Sequence, residues 1–173
     1  MAKNKINPTN NEKILGKDDF IVSKTNTKGI ITYCNQIFME MAQYDEKELV
    51  GVNHNLIRHP DMPRVAFKLA WEIIQSGNEF FGFVKNLQKN GGFYWVFTNI
   101  TPDYDENANI VGYTSVRRKP NTNAINTIIP IYKKLVELER GGDLRASEEF
   151  LMNFLKENNV TYDELIISLQ GEN

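Results

Sequence analysis

Arg58, His59 and Asp61 stand within four residues of one another in the hexapeptide Arg58-His59-Pro60-Asp61-Met62-Pro63. Each proline fixes its own φ and disfavours helix in the residue before it, so the cation, the imidazole and the carboxylate are carried on a stiff backbone. Residues 64–74 repeat apolar types at helical spacing, which places Pro63 near the first helical position. A rigid basic corner at a helix start suits an anion such as a phosphate. The same six residues fit equally well a tight structural turn with a solvated arginine.

His54 and His59 are the two histidines, and either can ligate a haem iron. A histidine in a helical segment is more often a hydrogen-bonded structural residue, and Asp61 beside His59 suggests such a pair. Two histidines and the distant Cys34 make no zinc spacing. Phe80, Phe81, Phe83, Trp95 and Phe97 lie in strand-like runs and can line an apolar slot, with Asn86 as both donor and acceptor. The plain alternative is an aromatic core with Asn86 satisfying backbone at a sheet edge. A nicotinamide fingerprint is missing, as is a nucleophile with an adjacent base, so no enzyme is predicted.

Around these residues, 173 positions allow one ordinary domain of about 100 to 150 residues plus appendages. Hydrophobic content of 41% is enough for a core, and the formal charge of −2 gives no footprint for nucleic acid. The single cysteine excludes an intrachain disulfide and fits a reducing compartment. No apolar run approaches the roughly 18 residues of a membrane span, and the N-terminus lacks the apolar centre of a secretion signal. The expected location is cytoplasmic.

The Asn- and Lys-rich residues 1–17 read as a flexible arm, with a short helix around 12–15. Residues 18–119 read as one α+β sensor domain and 120–173 as a C-terminal helical extension. Strands are predicted over 20–25 and 30–34, then short helices from Asn35 to 57 and a longer helix over 63–76. Three further strands follow over 80–87, 94–102 and 110–118, the first two joined by a turn with an Asn-Gly cue. Hairpin-linked strands make a five-stranded antiparallel sheet with helices on one face, which leaves room for a ligand between the layers. Beyond Pro120, helices are predicted over 123–140, with Pro130 as a kink or restart, over 147–158, and from Thr161 through 169. Whether they dock on the sheet or on a partner is open.

This order of elements resembles a PAS domain. Three segments sharpen the likeness: Asn53-His54-Asn55-Leu56-Ile57-Arg58-His59-Pro60-Asp61-Met62-Pro63, Val84-Lys85-Asn86-Leu87-Gln88-Lys89-Asn90-Gly91 and Tyr94-Trp95-Val96. Together they resemble the flavin-binding PAS domain of bacterial aerotaxis transducers (Aer-like), over roughly residues 18–119. The resemblance implies non-covalent FAD, with Arg58, His59 and Asp61 needed for its binding and Asn86 beside the isoalloxazine. It also implies Asn35, His54 and Trp71 at the pocket, and Phe80 where enteric-type receptors carry a tryptophan. The chain, ending at Asn173, resembles the stand-alone sensor of bipartite energy-taxis systems (CetB-like). Its partner would then be a membrane-bound chemotaxis transducer with a HAMP and signalling region, or a second copy of itself. Blue-light flavin domains place an adduct-forming cysteine after Gly-x-Asn; here Gly51-Val52-Asn53 precedes His54, so thiol photochemistry is not expected. A haem-binding gas sensor and a cofactor-free adaptor are the alternative readings.

Overall fold

Turn chemistry folds the first two strands onto each other in the computed structural model, which describes residues 6–171. β1 (Ile21–Asn26) and β2 (Ile31–Cys34) pair antiparallel. In the turn between them, Asn26 Oδ1 accepts from the backbone N–H of Lys28 and of Ile30, at 2.9 and 3.0 Å. β3 (Phe80–Leu87) and β4 (Phe93–Tyr104) form the long hairpin, and β5 (Ile110–Arg118) lies between β4 and β1. The sheet order is β2-β1-β5-β4-β3. The five-stranded antiparallel α+β architecture matches the sequence reading.

Between β2 and β3 the chain runs through α1 (Gln36–Ala42), α2 (Glu46–Leu49), a 3-10 turn (His54–Ile57) and α3 (Arg64–Gln75). These cover one face of the sheet, burying Phe38, Met41, Leu49 and Ile57 with Ile21, Ile31, Tyr94 and Val96. The opposite face is covered over β3 and β4 by α4 (Thr122–Leu138), α5 (Arg145–Glu157) and α6 (Tyr162–Gly171). Pro130 lies inside α4, which is one continuous helix and does not restart there.

The docking of α4 to α6 moves most of the predicted aromatic slot. Side chains alternate across a strand, so Tyr94, Val96 and Thr98 face α1 to α3 while Trp95 and Phe97 face the other way. Phe83, Trp95 and Phe97 pack with Ile128, Leu135, Leu151, Leu155 and Ile166, and Phe81 joins them. The Tyr132 hydroxyl donates to the Phe83 carbonyl at 2.7 Å. These four aromatics are the seat of the C-terminal helices and lie on the sheet face opposite α1 to α3, where Trp95 also borders a cavity of about 580 Å³ beside α4.

α3 begins at Pro63, which has no side chain able to cap it. The backbone N–H groups of Arg64 and Val65 donate to the carboxylate of Glu139, at 2.7 and 2.9 Å. Glu139 is buried at the end of α4, so the C-terminal helices supply the missing cap.

The N-terminal stretch differs from a loose arm at every described residue that contacts β4. Thr9 N–H donates to Gly91 O, Phe93 N–H to Asn11 O and Lys13 N–H to Phe93 O, at 2.8 to 2.9 Å. Leu15 is 1% exposed and completes the core beside Ile21. The helix expected over 12–15 is therefore an extended segment bridged to β4. Gly91 sits at φ 93°, and a Cβ there would collide with the Asn7 carbonyl oxygen, so this position needs glycine. Residues 1–5 lie outside the described chain.

Candidate functional site

A cavity of about 440 Å³ separates the sheet from the helices. That falls within the roughly 300 to 1,000 Å³ usual for small-molecule sites. Its walls are α3, through Phe67, Ala70, Trp71 and Ile74, and the inward residues of β3, β4 and β5. Trp71 meets Tyr113 edge to face, with ring centroids 5.6 Å apart.

The polar atoms are the distinctive feature. Asn86 on β3, Thr98 on β4 and Arg117 on β5 all line the cavity, and each is at most 4% exposed. Asn86 Nδ2, Thr98 Oγ1 and Arg117 Nε are buried with no hydrogen-bond partner. A buried polar group without a partner costs about 1 to 3 kcal/mol, so three of them around one cavity make it the candidate binding site. Asn86 faces Tyr94 across the ladder, close enough to interact electrostatically, but their geometry does not close a hydrogen bond.

Charge in the cavity has one sign. Lys28, Arg58 and Arg117 line it, and none of its lining residues is Asp or Glu. Arg58 is half-buried, its guanidinium 4.4 Å from the Phe67 ring centroid, and burial lowers its pKa. Arg117 is 2% exposed. It donates through Nη2 to Ser23 Oγ at 2.5 Å and through Nη1 to His54 Nε2 at 3.4 Å, and it lies over Phe38. All of these partners are neutral. Burial lowers the Arg117 pKa to about 10, so it still carries its charge at neutral pH.

Because arginine can only donate, His54 Nε2 must accept, which puts the proton on Nδ1. Burial, reinforced by Arg117, holds the His54 pKa down to about 3. Ser23 Oγ is 3.3 Å from the same nitrogen. This contact is no activated nucleophile, since Ser23 is off the cavity lining, already accepts from Arg117, and has a very weak base as neighbour. Cys34 is buried at the end of β2 and also stands off the cavity.

A family model described as PAS fold matches residues 31–117. The chain belongs to the PAS family. The chain is 39% identical over 121 residues to the aerotaxis receptor of Escherichia coli (strain K12), covering 70% of this chain and 24% of the receptor. Phototropin-2 of Oryza sativa subsp. japonica is 26% identical over 99 residues, 57% of this chain and 11% of that protein. The chain thus spans a quarter or less of the relatives it matches. Among solved structures, a light-oxygen-voltage domain from work on a flavin analogue superposes with TM-score 0.56 at 21% identity, covering 64% of this chain and 83% of that one. The aureochrome1 light-oxygen-voltage domain in its light state gives 0.56 at 18%, over 66% and 90%. These likenesses concern the fold.

Against the PAS frame, the residues singled out in the sequence separate into three groups. Arg58, His54, Asn86 and Trp71 line the cavity together. His59 and Asp61 turn to the other side of the same loop. His59 Nδ1 accepts from the Asp61 backbone N–H at 3.1 Å, so Nε2 carries the proton, buried and without a partner. Burial, with Lys85 adding to it and Asp61 opposing, lowers its pKa to about 4. Asp61 is exposed and pairs with Lys85 Nζ at 2.7 Å. Asn35 and Phe80 form the third group, in the framework. Asn35 Oδ1 accepts from the N–H groups of Val22 and Phe38, and its Nδ2 donates to Phe20 O, so it caps α1 and ties it to β1. Phe80 packs at the cavity's far end with Ala70 and Ile74 and stacks on Tyr162 at 5.8 Å.

Among the cavity residues that escaped the sequence reading are Phe67, Thr98 and Arg117. Arg117 had a signal, because an inward position of β5 two residues after Ser115 is an odd place for a cation. Thr98 had none beyond strand alternation.

Proposed function

We propose that this PAS domain is a redox sensor that binds FAD in the cavity and passes the flavin's state to a separate membrane-bound chemotaxis transducer. The observation that carries the reading is the set of unpartnered Asn86, Thr98 and Arg117 atoms facing an apolar, purely cationic cavity. FAD needs an apolar slot, partners for the polar edge of its ring, and positive charge for its pyrophosphate. Phe67 and Trp71 offer the first, Asn86 and Thr98 the second, and half-buried Arg58 the third. The 39% identity to an aerotaxis receptor supports the signalling context.

When bound, the flavin supplies an electron-accepting ring whose hydrogen-bonding needs change on reduction. Asn86 is placed to respond, since its amide can present either an N–H or a carbonyl. Any shift of β3 reaches the outer face directly. Lys85 next to it pairs with Asp61, and its N–H meets the Met62 sulfur at 3.2 Å. In this reading His59 and Asp61 hold the loop that positions Arg58, Asn35 and Phe80 hold the frame, and α4 to α6 carry the output. No helix among the described residues is long and apolar enough to cross a membrane.

The haem alternative finds less support. His54 Nε2 is engaged by Arg117 and Ser23, and His59 faces away from the cavity.

Purified protein supplied with FAD is expected to turn yellow and to release FAD, identified by chromatography, on denaturation. Arg58→Ala should lose most of it, and Asn86→Asp should alter the reduction potential. Folded protein that stays colourless in excess FAD overturns the reading.

A further inference from the structure

Arg58 stands between two cavities. On one side it borders the 440 Å³ cavity between sheet and helices, and on the other a cleft of about 350 Å³ that it shares with His59, Arg64, Glu139 and Arg140. Its one side-chain hydrogen bond among the described residues, from Nη2 to Met62 O, is long at 3.4 Å. Glu139 is the sole carboxylate in the walls of either cavity. Burial lowers the Arg58 pKa and the charge of Glu139 opposes that shift, so the two groups feel each other across the cleft.

The Glu139 carboxylate is also the anion at the start of α3. It accepts from the Arg64 and Val65 N–H groups, at the positive end of a 12-residue helix that carries Phe67, Ala70, Trp71 and Ile74 along the larger cavity. Two further ties join this helix to the C-terminal ones. Arg64 Nη1 donates to Gly142 O at 3.2 Å, and Lys68 pairs with Glu148 of α5. The C-terminal helices thus hold the cavity wall through an anion seated beside Arg58, at a helix start that would otherwise attract a phosphate.

Resting on the flavin reading above, we infer that Glu139 is an internal competitor of the cofactor's pyrophosphate for this cationic corner, and so sets how strongly the site prefers the dinucleotide over the bare flavin. Three effects of the carboxylate act in one direction. It partly neutralises Arg58, it fills the N-terminus of α3, and it repels a second anion. By linkage, a bound pyrophosphate weakens the hold of Glu139 on α3 by the same factor. Cofactor occupancy is thereby tied to the seating of α4 to α6. Glu139 acts through its charge alone, with no proton or electron transferred.

The test compares FAD with riboflavin, which carries the same ring without the pyrophosphate, on the native full chain and on Glu139→Gln. Calorimetry reads the affinities, and NMR reads hydrogen exchange of the Arg64 and Val65 amides. Glu139→Gln is expected to bind FAD about fivefold or more tighter, within the usual scale of coupling between sites. Its riboflavin affinity should be unchanged, although it melts at a lower temperature for want of the full cap. In the native protein the Arg64 and Val65 amides should exchange about fivefold faster with FAD bound than with riboflavin bound, the reciprocal of the same coupling. A parallel loss of affinity for both flavins, or an unchanged ratio between them, marks Glu139 as a structural cap and overturns the inference while leaving the flavin reading intact. Equal exchange under the two flavins also overturns it, and does so even if Glu139→Gln fails to fold. A native protein that binds neither flavin removes the cofactor reading and this inference together.

Discussion

The two faces of the sheet are made from the same strands and have opposite characters. On the outer face, Phe83, Trp95 and Phe97 lie against α4 to α6, and the Tyr132 hydroxyl in their midst finds the Phe83 carbonyl. On the inner face, one residue along each strand, Asn86, Thr98 and Arg117 leave polar atoms unmet around a cavity. The outer face is packed largely by the protein's own helices, with a cavity of about 580 Å³ left beside Trp95 and Tyr132. The inner face keeps polar atoms available around its cavity, which in the proposed reading the flavin would meet. The difference shows where a fold stores stability and where it reserves chemistry, since apolar contacts sum without a ligand while unpaired polar groups count against the ligand-free state.

That contrast can be broken most forcefully from the outer side. Phe83→Ala removes a ring that is 0% exposed and should cost about 3 to 5 kcal/mol in denaturant titrations. The folded fraction should keep its flavin affinity, and a selective loss of flavin would show that the faces are not separable. Acid gives the next effect. Burial depresses His54 to about 3 and His59 to about 4, so in this range the unfolded chain binds protons that the folded chain refuses. Stability should be full above the ordinary histidine value of about 6.5 and fall as pH drops from there toward about 4. His59→Asn should flatten part of that slope, and an unchanged pH profile would contradict the buried, neutral ring.

Asn35→Ala should cost about 1 kcal/mol as a lost helix cap and leave flavin binding unaltered, separating the framework from the cavity. A specific loss of flavin would return Asn35 to the site. Thr98→Val is the smallest change. The ligand-free protein should be as stable or gain up to about 1 kcal/mol, since a buried unpaired hydroxyl disappears. FAD affinity should fall by about 2- to 10-fold, the worth of one neutral hydrogen bond, and calorimetry reads both.

The RHPDMP hexapeptide shows how far a motif reaches. Its stiffness and its place before a helix were visible from the prolines, but its side chains divide between two surfaces. Arg58 enters the cavity, while Asp61 reaches Lys85 beside the C-terminal helices. Nothing local forces that division; it follows from β3 running past the loop, with Asn86 on one face and Lys85 on the other.

Taken alone, the order of alternating strands, turn residues and caps determined the five-stranded sheet, the helices between β2 and β3, and Asn35 as a helix start, because these rest on short-range geometry. The direction of the aromatics was undetermined locally. Phe80-Phe81-Gly82-Phe83 and Tyr94-Trp95-Val96-Phe97 are apolar on both sides, so alternation gives no sign of which side is core. Only the docking of α4 to α6 decided it, by offering one set of rings an apolar partner. The same long-range packing enclosed Arg117 without an anion and drew Glu139 across 74 positions to cap α3, outcomes that depend on what meets in space.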